Sequence, residues 1–382
     1  MNKLDPRRQS LASARRIVVK VGSGVLTAED GLNTEFMKRL AAETVALRNR
    51  NIEIILVSSG AIAAGFKKVG LREKPKTVPH FQACAAIGQA RLMMVYEEAF
   101  GDLGFKVAQI LLTADDLAHR RRYLNARNTL TTLLEWNIIP IINENDTVAV
   151  DEIKFGDNDT LSGLVAGLVD ADLLINLTDI DGLYDRDPRR DQEARFISVV
   201  ETVGPKIEAM ASRIPGALGA GGMYTKVLAA KRVARRGVPT IIANGRKAGA
   251  LTRILAGESE GTMFLPKDKV LASRKHWIAF AVKPKGRLVV DRGAARALLD
   301  NGKSLLPSGL LEVKNRFGAG DAVQVLGPEG ELVAVGLSNY SSEELSRLVG
   351  CQTCDIEERL GYKHSDEVIH RNNMVVGNDL KS

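Results

Sequence analysis

Residues 16–27 read RIVVKVGSGVLT, four apolar residues interrupted by one lysine and closed by a Gly-Ser-Gly turn. A run that is apolar on both faces suits a strand covered on both sides, the texture of a parallel sheet. Six further runs share it: EIILVSSG (53–60), KVAQILLT (106–113), NIIPIIN (137–143), DLLINLTD (172–179), FISVVE (196–201) and VPTIIANG (238–245). Amphipathic segments lie between them, such as NTEFMKRLAAETVALRN (33–49), where Phe36, Leu40 and Leu47 recur at helical spacing. Alternating strands and helices predict an α/β domain with a buried, mostly parallel sheet, whose ligands bind at the carboxyl ends of the strands.

Past GTMFLP (261–266) and the charged KDKVLASRK (267–275) the texture changes. WIAFAV, GRLVVD, LLEVKN, AVQVLG and ELVAVGL are short runs with Gly or Pro turns, interrupted by the helical piece GAARALLDNG. This predicts a small β-rich second domain from about His276 to residue 368, after a linker at 266–275 and a first domain at 1–265. A helix is expected over SSEELSRLVGCQTCDIEERLG (341–361), opened by a Ser341–Glu344 capping box and stopped at Gly361. A tail follows at 369–382, and the first residues and the stretch after His370 read as loose.

The 382 residues, 45% hydrophobic and 26% charged, can bury a sizeable core and fit two domains. The longest apolar stretch, LSGLVAGLVDADLLINL, is broken by Asp170 and Asp172, so no membrane span is expected. The basic start has no apolar core of a secretory signal, and three cysteines cannot build a disulfide framework. A soluble, cytoplasmic protein is the expectation. The net charge of +7 admits nucleic acid or any phosphorylated ligand without choosing between them.

Several motifs carry no function on inspection. VGSGVLT lacks the third glycine of a dinucleotide fingerprint, at Thr27, and NGKS (301–304) lacks the leading glycine and strand of a P-loop. FGAGDAV (317–323) resembles a sugar-kinase anion hole, but strand and hairpin follow it, so a glycine turn is the better reading. Cys351 and Cys354 form one pair with no second pair, and both fall in the helical pattern, which favours packing over metal.

Four stretches hold. Lys20 in a buried strand needs an anion or carboxylate nearby, and Gly22, Ser23 and Gly24 beside it offer bare backbone N–H groups to a phosphate; the alternative is that its ammonium snorkels to the surface. VSSG (57–60) ends the second strand at Ser59, either a helix cap or a ligand contact. GAGGMYTK (219–226) sets Gly219, Gly221 and Gly222 ahead of Thr225 and Lys226 at a helix start, a phosphate site or a flexible loop. NENDTVAVDEIKFGDNDTLS (143–162) gathers Glu144, Asp146, Asp151, Glu152, Asp157 and Asp159 against one lysine. Helix capping explains one of those six carboxylates. Two glycine-flanked lysines and a carboxylate-amide cluster at strand ends fit phosphoryl transfer, in which cations surround the moving group.

These stretches, with AAIGQARLM, YLNARNTL, LTDIDGLYDRDP and, in the second domain, KHWIAF and SLLPSGL, closely resemble the glutamate 5-kinase family of the amino acid kinase superfamily, which carries a C-terminal PUA domain. The motifs run in order over nearly the whole chain, and INEND with GDND separates this family from kinases of aspartate, acetylglutamate, carbamate and UMP. The resemblance implies a three-layer α/β/α fold and transfer of phosphate from ATP to L-glutamate, giving L-glutamyl 5-phosphate. By motif, Lys20 and Lys226 would stabilise the moving phosphoryl group, with Asp159 holding both. Ser59, Asp146 and Asn158 would contact glutamate. Lys20, Gly22, Ser23, Thr178, Asp179 and the run Gly221, Gly222, Met223, Thr225 and Lys226 would bind ATP. Mg²⁺ would be held mainly by ATP phosphates. Gly24 stands where the family often has Ser or Thr, which leaves one contact to backbone. A homo-oligomer and feedback inhibition by proline are implied likewise. The competing readings are an RNA-binding or RNA-modifying protein, since PUA domains elsewhere bind RNA, and an amino acid kinase with a different acceptor; the aromatic content of 5% and basic clusters on helices, Arg120 to Arg122 and Arg235 to Arg236, speak against the first, and the motifs that carry Asp146 and Asn158 against the second.

Overall fold

The computed structural model describes residues 11, 13–28, 31–71, 77–149, 157–212, 222–266 and 284–377. Two compact units divide the chain, Met1–Val270 and Leu271–Ser382.

The first unit is built on an eight-stranded sheet. Its strands are β1 (Arg16–Val21), β2 (Glu53–Val57), β3 (Val107–Leu112), β4 (Ile139–Glu144), β5 (Leu173–Thr178), β6 (Val199–Val200), β7 (Thr240–Asn244) and β8 (Thr262–Phe264). In space they run β6-β8-β7-β5-β1-β2-β4-β3, and every neighbouring pair is parallel except β7 with β8. The order reverses around β1, which lies between β2 and β5, so the chain switches direction there and opens a crevice beyond the strand ends.

The six helices used below are α1 (Thr34–Arg48), α2 (Ala61–Val69), α3 (Val78–Gly101), α4 (Arg120–Glu135), α5 (Asp157–Leu168) and α6 (Met223–Ala234). Period-two alternation sends Ile17, Val19 and Val21 of β1 into one core, with Phe36 and Leu40 of α1 and Leu92 and Phe100 of α3. Val18 enters the opposite core, with Leu130 of α4 and Leu161 and Val165 of α5. Helices therefore cover both faces. Lys20 shares the parity of Val18 and so faces the layer that contains α5.

FISVVE does not form one strand. Phe196–Ile197 pairs with Leu183–Tyr184, while Val199–Val200 joins the large sheet, and Ser198 between them accepts a hydrogen bond from the Met263 N–H at 2.8 Å.

The second unit has five strands, β9 (Gly286–Val290), β10 (Leu310–Lys314), β11 (Ala322–Leu326), β12 (Leu332–Leu337) and β13 (Met374–Val376), in the order β10-β9-β11-β12-β13. The run WIAFAV lies outside the described residues. β13 corrects the expectation of a loose tail after His370: Met374 and Val375 are buried, and the segment pairs with β12. The helix expected over 341–361 is also interrupted. Its capping box forms, but the helix ends at Leu348, and Gly350 takes φ +71° and donates to the Pro307 carbonyl at 3.1 Å before a 3-10 turn and a short helix, Ile356–Leu360. Cys351 and Cys354 accordingly lie outside α-helix, the first buried and the second exposed, both as free thiols.

Candidate active site

Five strand ends converge on the crevice, at Lys20–Val21, Ser58–Ser59, Asn143–Glu144, Thr178 and Asn244. Its centre is Asp159, two residues into α5 and 1% exposed. Lys20 Nζ donates to Asp159 Oδ1 at 2.6 Å, and Lys226 Nζ lies 3.2 Å from Oδ2. Thr225 Oγ donates to Oδ2 at 2.7 Å and Asn176 Nδ2 to Oδ1 at 3.1 Å. Four side chains from β1, β5 and the first turn of α6 thus converge on one carboxylate. Asn176 is the register partner of Lys20 on the neighbouring strand, so parity puts both on the same face.

Two ammonium groups against one carboxylate leave a formal +1 on these three groups. Burial pushes the Lys20 amine down, with Lys226 adding to the effect and Asp159 opposing it. Burial alone would raise the Asp159 carboxyl, but the Lys20 and Lys226 charges and the hydrogen bonds from Lys20 and Thr225 hold it well below the usual carboxylate range. A carboxylate held in this way fixes both amines beside the crevice, and their formal excess of positive charge suits an arriving anion.

The backbone beside it suits a phosphate as well. A Cβ added at Gly22 would stand 3.2 Å from the Leu177 carbonyl and 3.8 Å from Lys20 Nζ, so glycine keeps a close approach open there. α6 begins at Met223 behind Gly222, with no side-chain cap and no acidic residue in its first turn, which leaves its terminal N–H groups for an anion. Met223 is buried at that helix start, as are Lys226 and, on β5, Thr178. Thr178 Oγ1 donates to Asp179 Oδ1 at 3.1 Å. A Cβ at Gly24 would meet the Asp179 carboxylate at 3.1 Å, so the missing side chain at 24 lets that carboxylate approach the Gly-Ser-Gly turn. Ser23 begins a one-turn helix, Ser23–Leu26.

On the other side, Asn158 Nδ2 donates to Ser59 Oγ at 3.1 Å, and Asn158 Oδ1 is buried with no hydrogen-bond donor among the described residues. Asp146 lies in the turn after β4, where burial raises its carboxyl to about 6. Among the described residues no hydrogen bond links Asp146 to Ser59 or Asn158. An acceptor oxygen without a donor and a desolvated carboxylate both suit a cationic group.

Gly219, Gly221, Asp151 and Glu152 lie outside the described residues, as does the side chain of Asp157. Among the described residues there is no cluster of three His, Cys, Asp or Glu able to hold a metal ion. Sequence reasoning missed Asn176, whose signal is the lone amide in the apolar run LLINLT, and it gave Thr225 to the nucleotide without its bond to Asp159. It also passed over the buried pair Ser58 with Tyr96 (2.9 Å) and the half-buried pair Asn143 with Gln89 (2.8 Å), which no local pattern marks.

Residues 15–244 match the amino acid kinase family and residues 286–360 the PUA domain. The glutamate 5-kinase of Syntrophotalea carbinolica is 51% identical over 370 residues, 97% of this chain and 99% of that protein. The chain belongs to the glutamate 5-kinase family. Within that family, the glutamate 5-kinase of Geobacter metallireducens is 53% identical over 371 residues, 97% of this chain and 100% of its own length. Among solved structures, the carbamate kinase from Giardia lamblia bound to AMP-PNP aligns with a TM-score of 0.47 and 17% identity, over 67% of this chain and all of that one. No helix among the described residues is long and apolar enough to cross a membrane.

Proposed function

We propose that this chain transfers the γ-phosphoryl group of ATP to the side-chain carboxylate of L-glutamate, forming L-glutamyl 5-phosphate and ADP at the first step of proline synthesis. The observation that carries this reading is the bridge from Lys20 through Asp159 to Lys226, two ammonium groups from β1 and α6 fixed on one carboxylate. Relatives half identical over nearly the whole chain, named glutamate 5-kinases, support the choice of acceptor.

Lys20 and Lys226 balance the charge on the transferred group as it moves, and Asp159 sets their positions before substrate arrives. The acceptor carboxylate has an ordinary pKa near ~4.3 and is already an anion, so no general base is required. Asp146 and Asn158 Oδ1 take the substrate ammonium, and Ser59 contacts the same amino acid. Gly22, Ser23, Thr178, Asp179 and residues 221–226 hold the nucleotide. Mg²⁺ brought in with ATP would supply further charge neutralisation. We place the kinase domain at 1–265 and the PUA domain at 276–368. We take the reaction to be cytoplasmic, in a homo-oligomer inhibited by proline.

Incubation with MgATP and hydroxylamine, with L-glutamate, L-aspartate or carbamate as acceptor, tests the reading. Glutamate-dependent hydroxamate, with little from the other two, is expected. Turnover independent of glutamate would refute it.

A further inference from the structure

Helix α3 carries Gln82, Gln89 and Tyr96 at intervals of seven residues. Seven residues advance a helix by about two turns and about 10 Å, so the three side chains form one stripe along a single face. Each reaches a different segment around the amino acid side of the crevice. Tyr96 OH and Ser58 Oγ lie 2.9 Å apart, both buried, next to Ser59. Gln89 Oε1 accepts from Asn143 Nδ2 at 2.8 Å, at the end of β4. Gln82 Nε2 donates to the Ala149 carbonyl at 3.3 Å, where the turn holding Asp146 closes with Val148 and Ala149 N–H groups both on the Asn145 carbonyl at 3.1 Å.

Asp146 is therefore bracketed: Asn143 precedes it, Ala149 follows it, and both are tied to one helix that also reaches the residue beside Ser59. The orientation of the Gln89 amide follows from the chain of bonds. Asn143 Oδ1 accepts from the Glu144 N–H at 2.9 Å, which turns Asn143 Nδ2 toward Gln89 and requires an oxygen there. Gln89 Nε2 is then left buried, with no acceptor among the described residues. A buried donor of this kind costs free energy that an apolar side chain would avoid, so packing alone does not account for a glutamine at 89.

We infer that Gln89 and Tyr96 are positioning residues of the amino acid subsite: α3 sets the separation between Ser59 and Asp146 through this stripe and thereby the fit to the acceptor's cationic end. This rests on the reading that the acceptor is glutamate.

The test is steady-state kinetics of the full chain carrying Tyr96→Phe, which deletes only the hydroxyl, and Gln89→Leu, which removes the acceptor for Asn143. Melting midpoints are recorded alongside. The glutamate KM is expected to rise roughly fivefold or more in each. The KM for ATP should stay within about twofold and the melting midpoint close to wild type, since nucleotide contacts lie on β1, β5 and α6. Glutamate KM values within twofold of wild type in both variants would overturn the inference, as would equal rises in the KM for ATP. Loss of glutamate-dependent turnover in the wild type itself would instead overturn the acceptor assignment.

Discussion

Asp159 decides the chemistry at the scale of single residues, because it fixes the two cations that a phosphoryl group needs. Asp159→Asn keeps the shape but leaves two buried ammonium groups without a counter-charge, and breaking a buried pair in this way costs about 3–5 kcal/mol. We expect a fall in kcat of at least roughly 100-fold and a lowered chemical-denaturation midpoint. The sign with pH follows from the depressed carboxyl. Its contribution to stability is complete above the unfolded value of about 3.9 and is lost as pH falls below it. Wild-type stability should thus decline more steeply below about pH 4 than that of Asp159→Asn. Asp146 behaves oppositely: its folded carboxyl, raised to about 6, costs stability as pH rises from about 4 to 6. Asp146→Asn should therefore melt higher at pH 8 while binding glutamate more weakly. In the wild type the glutamate KM should climb as pH drops below 6, by about tenfold per unit once the carboxylate is protonated, and in Asp146→Asn it should stay flat. A glutamate KM independent of pH in the wild type would remove Asp146 from the ammonium site.

Individual elements explain why strands were easier to read than contacts. The apolar runs of the large sheet are covered on both faces, so composition alone marked β1, β2, β4, β5 and β7, and Lys20 stood out as the charged exception. The meeting of Lys20 with Asp159, 139 positions later, depends on strand parity and on α5 lying over that face, which no local window contains. The stripe on α3 was invisible for the same reason, since glutamines and a tyrosine on a helix acquire meaning only from what lies opposite. The break at Gly350 was missed because the polar-apolar period continues through it; its cause is the Gly350 N–H turning to Pro307. Helix contact also yields a prediction. A Cβ at Gly88 would fall 1.8 Å from the Ala61 carbonyl and one at Gly65 1.7 Å from the Cys84 carbonyl, so α2 and α3 touch backbone to backbone. Gly88→Ala should destabilise by about 1–3 kcal/mol in urea. It should also raise the glutamate KM, because α2 starts at Ala61, and only its capping residue Gly60 separates it from Ser59. An unchanged midpoint would contradict this packing.

For the whole molecule, all residues assigned to chemistry lie in Met1–Val270, and that unit has apolar clusters of its own, as does the second. A chain ending at residue 270 is expected to fold and to retain glutamate-dependent turnover within about an order of magnitude of the full chain. An inactive but folded fragment would give the PUA domain a part in catalysis. The central claim is that Lys20 and Lys226 act on one migrating phosphoryl group, and hydroxamate trapping with MgATP and L-glutamate measures it most directly. Lys20→Ala and Lys226→Ala should each lose at least roughly 100-fold of the wild-type rate while keeping a folded far-UV spectrum. Full hydroxamate formation by either variant would contradict the account.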